Sequence, residues 1–265
     1  MTQVKKAGTA LVTGASSGIG LELVQLFARD GYRVVMVARG AEKLREIGKD
    51  LELRMGALAT VVAADLSDPD APPAIFRRVE DEGIEVDVLV NNAGYGTYGH
   101  FSETDVVEEL KMIQVNVTAL THLTKLFLPG MIRRKRGAIL NVASTAAFQP
   151  GPLMAAYYAT KAYVLSLSEA LANELEATGV TVTALCPGPT KTGFQAGAKM
   201  EASRLVRGPW VMDAARVARA GYDGMRRGKT IVIPGLANKL LAQSVRFTPR
   251  RMVTRIVRQM QAKVG

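Results

Sequence analysis

Short, near-continuous apolar runs recur along the chain, each followed by a stretch with helical spacing. They are ALVT (Ala10 to Thr13), RVVMVA (Arg33 to Ala38), TVVAAD (Thr60 to Asp65), VDVLVN (Val86 to Asn91), AILNVA (Ala138 to Ala143), VTVTAL (Val180 to Leu185) and TIVIP (Thr230 to Pro234). A strand with one wet face alternates apolar and polar residues. Most of these runs are near-continuously apolar instead, so they read as strands covered on both faces. Between them, Ile19 to Asp30 has the spacing of an amphipathic helix stopped at Gly31, a charged helix runs from about Ala41 to Arg54, and a long one starts near Thr104. Strand and helix in alternation predict an α/β fold: a doubly wound, Rossmann-type parallel sheet of about seven strands, with helices on both faces and right-handed crossovers. No repeat or linker interrupts residues 1–235, which read as one domain. Residues 236–265 read as a helical extension.

Composition narrows the class. With 265 residues, 48% apolar and 22% charged, the chain has ordinary globular make-up and is not wholly disordered or fibrous. No apolar run is long enough to span a bilayer, and no secretory signal is read at the N-terminus. The single cysteine, Cys186, excludes an internal disulfide, and two isolated histidines, His100 and His122, give no basis for a metal site. A reducing, cytoplasmic setting is the expectation, with possible contact to a membrane periphery through the extension.

Most of the net charge of +10 sits in that extension. Lys239, Arg246, Arg250, Arg251, Arg255, Arg258 and Lys263 carry +7, with no acidic residue after position 235. Leu236 to Gln243 reads as one helix and Pro249 as a break. A second helix follows, with Met252, Val253, Ile256, Val257 and Met260 to one side and Arg251, Arg255 and Arg258 toward the other. Packing on the domain or on a subunit partner, and attraction to anionic lipid, are both open readings. Nucleic acid is not expected, because no aromatic residues interleave with the charges.

Candidate chemistry begins after the first strand. In Thr13-Gly14-Ala15-Ser16-Ser17-Gly18-Ile19-Gly20 the glycines allow a tight turn and close backbone approach to a pyrophosphate, while the helix start offers free N–H groups. The second strand ends at Ala38-Arg39. An acid there would accept from the ribose hydroxyls of NAD(H), whereas Arg39 suits the extra phosphate of NADP(H), which is the expected cofactor. Further on, Tyr157 and Lys161 lie one helical turn apart on one face. A nearby ammonium, with an oxidised nicotinamide, favours the phenolate, so Tyr157 can act as acid–base. Ser144, at the end of a strand, can hold a substrate oxygen.

The glycine spacing T-G-x-x-x-G-x-G, with Asp65-Leu66, Asn91-Asn92-Ala93-Gly94, Asn116, Ser144, Tyr157-x-x-x-Lys161 and Pro187-Gly188, resembles the short-chain dehydrogenase/reductase family over nearly all of residues 8–235. The resemblance implies a catalytic set of Asn116, Ser144, Tyr157 and Lys161, with Asn116 positioning a water that leads from the lysine to solvent. It implies a cofactor site comprising Gly14, Ser16, Ser17, Gly18, Ile19, Gly20, Arg39, Asp65, Leu66, Asn92, Ala93, Gly94, Tyr157, Lys161, Pro187, Gly188, Thr190 and Thr192. Within it, Asp65 accepts from the adenine amino group, Asn92 to Gly94 line the adenine–ribose side, and Lys161 holds the nicotinamide ribose. The P-G segment orients the carboxamide, and Thr192 contacts the phosphates or amide. Many NADP-dependent relatives have a second basic residue just before Gly18, where this chain has Ser17. Residues 194–212, including Phe194, Met200 and Trp210, occupy the place of the substrate loop, and Tyr95, Tyr98, Phe148, Leu153 and Met154 are candidates for an apolar pocket.

These features lead to the expectation of an NADP(H)-dependent oxidoreductase acting on a carbonyl or secondary alcohol, with an apolar ketone as substrate, working as a homodimer or homotetramer. The alternative from another class is a non-catalytic NADP-binding module, redox-sensing or membrane-associated. An extended sugar-nucleotide epimerase is disfavoured by the glycine spacing.

Overall fold

The computed structural model describes residues 8–194, 198, 200 and 211–262. Seven strands form one parallel sheet in the order β3-β2-β1-β4-β5-β6-β9. They are β1 (Thr9–Thr13), β2 (Arg33–Ala38), β3 (Ala59–Ala63), β4 (Val88–Asn91), β5 (Gly137–Val142), β6 (Val180–Leu185) and β9 (Ile231–Val232). A separate two-stranded pair, β7 (Thr190–Lys191) with β8 (Met212–Asp213), was not read from the sequence.

Side chains alternate across the sheet and feed two cores. Ala10, Val12, Val34, Met36, Val88 and Val90 face the helices α1 (Gly18–Arg29) and α2 (Ala41–Met55) together with α7 (Ala214–Arg226). Leu11, Val35, Val37, Leu89 and Ile139 face α3 (Ala71–Asp81), α5 (Leu120–Arg133) and α6 (Ala155–Glu174). Apolar residues at successive positions are therefore required, which is why β1 and β2 are near-continuously apolar in the sequence. Helix α3 carries proline in its first turn, where the missing N–H has no helical partner to lose.

The expected long helix from Thr104 begins at Val106, with the Asp105 carboxylate accepting from the N–H groups of Val107 and Glu108 at the N-cap. It is not one regular helix. Between α4 (Val106–Ile113) and α5, residues Gln114–Ala119 form a π-helix that contains Asn116. The extension forms α8 (Leu236–Ser244), a short turn, and α9 (Arg250–Gln261) after Pro249. Both helices bury a narrow stripe on the body of the protein, through Asn238 and Ala242 and through Val253, Val257 and Gln261.

The strand order reverses its direction of growth at β1, so a crevice opens between the carboxyl ends of β1 and β4. Open α/β sheets bind ligands there. Gly14, Arg39, Asp65, Asn92, Ser144 and Pro187 all follow the carboxyl ends of strands that meet along this edge.

Candidate active site

Thr13 ties the two sides of the crevice together. Its hydroxyl donates to the Val90 carbonyl (3.2 Å) and accepts from the backbone N–H groups of Asn92 and Ala93 (3.0 Å each). The Asn92 amide donates back to the carbonyl oxygens of Thr13 (2.8 Å) and Gly14 (3.3 Å). Gly14 has φ +65°, and a Cβ there would lie 2.7 Å from Asn92 Nδ2; one on Gly20 would run into the Gly14 carbonyl oxygen. The glycines are thus dictated by the backbone's left-handed turn and by the approach of α1 to the β1–β4 seam.

Ser17 is the N-cap of α1, but its side chain does not cap the helix. The N–H groups of Gly18, Ile19 and Gly20 open the helix without intrahelical acceptors, at the positive end of its dipole. Thr192 returns over this turn: a Cβ on Gly18 would sit 2.9 Å from Thr192 Cγ2. Ser16 is half-buried, and Arg39 is exposed just beyond β2. Asp65 Oδ1 accepts from the Ser67 N–H (3.0 Å) and hydroxyl (2.9 Å), and these bonds, with a smaller contribution from Arg39, hold its carboxyl below the usual range. The glycine cradle and the helix start together fit the phosphates of a dinucleotide. Leu66 turns its side chain into the core, and Thr190 is buried with its hydroxyl donating to the Gly188 carbonyl at 2.9 Å.

The four expected catalytic residues converge beyond β5. Ser144 has extended backbone and caps the short helix Thr145–Phe148, its hydroxyl oxygen accepting from the Ala146 N–H at 3.0 Å. The Thr145 N–H donates to the Pro187 carbonyl (2.8 Å), joining this turn to the Pro187-Gly188 segment. Tyr157 and Lys161 sit on the buried face of α6, with Lys161 Nζ 5.8 Å from the Tyr157 ring centroid. Lys161 Nζ donates to the Val142 carbonyl at 2.8 Å. Asn116 Oδ1 accepts from the Tyr95 N–H (3.2 Å), and its Nδ2 donates to the Tyr95 carbonyl (2.9 Å) and the Thr160 hydroxyl (3.1 Å). A Cβ on Gly94 would lie 2.9 Å from Asn116 Oδ1 and 3.3 Å from Lys161 Nζ, which brings all three residues to one point.

Burial governs the protonation of this set. It pushes the Tyr157 phenol up to about 12, against a smaller downward pull from the Ser144 hydroxyl. It pushes the Lys161 ammonium down to about 8. Burial thus opposes the phenolate that the Tyr–Lys spacing, together with an oxidised nicotinamide, is expected to favour. Cys186 is buried and its thiol is pushed up to about 12, so it stays an inert thiol. No group of three His, Cys, Asp or Glu side chains suited to a metal occurs among the described residues.

An apolar wall stands beside Tyr157. Tyr95, Tyr98, Met154 and Phe194 pack with it, the Phe194 ring 5.2 Å away. Phe148 belongs to another cluster, with Ala143 and Val164. Leu153 takes a left-handed backbone conformation (φ +71°) just before α6. Met200 is buried in the wall, while Trp210 and most of residues 194–212 lie outside the described residues. Sequence reading missed the contribution of α9. Val253 and Val257 enter the same cluster, Gln261 Nε2 donates to the Tyr158 hydroxyl (2.8 Å), and the Tyr98 hydroxyl donates to the Gln261 carbonyl (2.6 Å). The apolar stripe on the tail was the available signal; a lone glutamine gave none.

Comparison with known proteins defines the class. The short chain dehydrogenase family model matches residues 8–202. A short chain dehydrogenase of Pseudocercospora fijiensis is 40% identical over 69% of this chain and 60% of its own length. A very-long-chain 3-oxoacyl-CoA reductase of Anas platyrhynchos is 34% identical over 67% of this chain and 58% of its own. The matches thus span about three fifths of these two relatives. Among solved structures, a short-chain dehydrogenase from Sphingobium yanoikuyae in complex with NADPH is 33% identical with a TM-score of 0.81, covering 92% of this chain and 97% of that one. One from Burkholderia phymatum in complex with NAD is 26% identical with a TM-score of 0.81, over 90% and 92%. The chain belongs to the short-chain dehydrogenase/reductase family.

Proposed function

We propose that this protein is an NADP(H)-dependent oxidoreductase that interconverts a carbonyl and a secondary alcohol, with an apolar ketone as substrate. The observation that carries this reading is the meeting of Tyr157 and Lys161 on the buried face of α6, with Asn116 beside Lys161 and Ser144 on the turn after β5, at the carboxyl edge of the sheet. When bound, NADPH supplies the hydride. Ser144 and Tyr157 hold the substrate oxygen with their hydroxyl groups. Tyr157 is protonated at neutral pH and so is ready to donate its proton to an oxygen that gains negative charge. Lys161, mostly charged at neutral pH, favours the phenolate left behind and binds the nicotinamide ribose. Asn116, anchored to Tyr95 and Thr160, orders the water that connects Lys161 to solvent.

Arg39 supports the choice of NADP(H). It stands just beyond β2 with its side chain in water, where a 2′-phosphate could be met by charge-assisted hydrogen bonds. Both cofactor types are represented among the solved relatives, so the choice rests on this residue. The apolar substrate is supported by the wall of Tyr98, Met154, Phe194, Val253 and Val257 around Tyr157, and by the likeness to a very-long-chain 3-oxoacyl-CoA reductase. Residues 1–235 would supply the catalytic domain and 236–265 the extension. A homo-oligomer is supported by a groove of about 520 Å³ whose lining includes Phe101, Val106, Leu110 and Ile113, all exposed.

The test is oxidation of NADPH and of NADH against a panel of carbonyls graded from polar aldehydes to long-chain and polycyclic ketones. Turnover with NADPH that rises with substrate apolarity is expected. No turnover of any carbonyl with either cofactor would contradict the reading.

A further inference from the structure

The extension buries little of what it could bury. In α8, Leu236 (73% exposed), Leu240 and Leu241 point away from the stripe of Asn238 and Ala242 that packs on the body. Phe247, in the turn between the helices, is 88% exposed. In α9 the packed stripe is Val253, Val257 and Gln261. At about 100° per residue, Met252, Ile256 and Met260 form a second stripe about a quarter-turn to one side of it. All three are exposed. A cluster of exposed Leu, Ile, Phe and Met on two consecutive helices marks a contact surface rather than scattered surface residues.

The charges on the same helices say what it contacts. Lys239, Arg246, Arg250, Arg251, Arg255 and Arg258 are all exposed, and none of them forms an ion pair among the described residues. No acidic residue follows position 235. A nucleic acid would use the arginines but leave the leucines and Phe247 in water. A surface that is anionic outside and apolar beneath accepts both sets at once.

We propose that the outward faces of residues 236–262 form a docking surface for an anionic lipid bilayer. The surface lies next to the site. The same helix, α9, holds Tyr98 and Tyr158 through Gln261 and packs Val253 and Val257 into the wall beside Tyr157. Docking there would bring the apolar wall toward the bilayer, a source of apolar carbonyls. The binding itself does not depend on the proposed activity and is read without turnover.

The experiment is co-sedimentation of the full chain with vesicles of phosphatidylcholine alone and of phosphatidylcholine mixed with phosphatidylglycerol, at rising salt. Three proteins are compared: wild type, a triple Leu240→Ser, Leu241→Ser, Ile256→Ser variant, and a double Arg251→Gln, Arg255→Gln variant. Wild type should bind the anionic vesicles at least tenfold more strongly than the neutral ones and be released as salt rises. Each variant should lose at least tenfold. Melting curves check that both still fold, and the arginine variant, altered only on the water side, carries the test if the serine variant fails to fold. Absence of wild-type binding at low salt would overturn the proposal, as would binding that the serine substitutions leave unchanged. So would sedimentation velocity revealing a dimer that these substitutions dissociate, without vesicle binding, which would assign the surface to a second copy of the chain.

Discussion

The Tyr158 hydroxyl accepts a hydrogen bond from Gln261 Nε2 at 2.8 Å, across 103 residues of sequence. The pair fastens α9 to α6, one residue from Tyr157. Tyr158 therefore serves as an anchor, its phenol pushed far up by burial and kept protonated, while Tyr157 packs against Phe194 with Lys161 near its ring. The two adjacent tyrosines meet different neighbours because α6 turns them about 100° apart.

Gln261→Ala removes the donor to Tyr158 and leaves a small cavity. A net hydrogen bond contributes about 0.5–1.5 kcal/mol, and each 1 kcal/mol moves the melting temperature by about 2–4 °C in a domain of this size. A fall of several degrees is expected in thermal unfolding. Tyr158→Phe should also lower the melting temperature while retaining substantial turnover. An unchanged melting curve for Gln261→Ala would mean that α9 is not held on the body in solution.

Arg39 should set cofactor choice. Wild type is expected to bind NADPH more tightly than NADH, and Arg39→Ala to reduce the difference by about ten- to a hundredfold, as befits a charged hydrogen bond of about 1.5–3 kcal/mol. Titration calorimetry with both cofactors measures it. Equal dissociation constants in the wild type would sink the assignment.

Lys161 should leave a mark on stability against pH. Its ammonium has an ordinary value of 10.5 and is pushed down to about 8 by burial. Between those limits the unfolded chain holds a proton that the folded chain has released. The unfolding free energy therefore gains on the order of 1.4 kcal/mol per pH unit from this group as pH rises. The desolvation cost is fully present below about pH 8 and absent above 10.5. Urea unfolding at several pH values should give a wild type that gains stability relative to Lys161→Met across this window. Parallel profiles for the two proteins would show that the lysine is not desolvated.

Much of this architecture is legible in the sequence, for a physical reason. Strands buried on both faces need apolar residues at consecutive positions, so RVVMVA and ALVT stand out without any partner being known. The glycine turn and the Tyr157–Lys161 spacing are equally local. Less legible is whatever long-range contacts decide. The π-helix over Gln114–Ala119 turns Asn116 toward Tyr95 and Thr160, and nothing in QVNVTA distinguishes it from an α-helix. The tail's apolar stripe was readable as one side of a helix, yet only Val253 and Val257 are buried while Met252, Ile256 and Met260 face outward. The width of a stripe does not reveal how much of it the body covers. Phe148 is a candidate for the apolar pocket in the sequence. The short helix Thr145–Phe148 instead turns Phe148 into a neighbouring cluster.

The central claim is that Tyr157 is the proton donor to a carbonyl held at Ser144. The most direct measurement is steady-state NADPH oxidation by Tyr157→Phe with the best ketone of the panel, alongside NADPH affinity by calorimetry. The substitution removes one hydroxyl from a buried ring that otherwise packs against Phe194 and Met154. Turnover should fall at least a hundredfold, the scale of general acid–base catalysis, with the dissociation constant for NADPH changed by less than about threefold, well under the tenfold that 1.4 kcal/mol would produce. Turnover within a few-fold of wild type, with cofactor binding intact, would contradict the account.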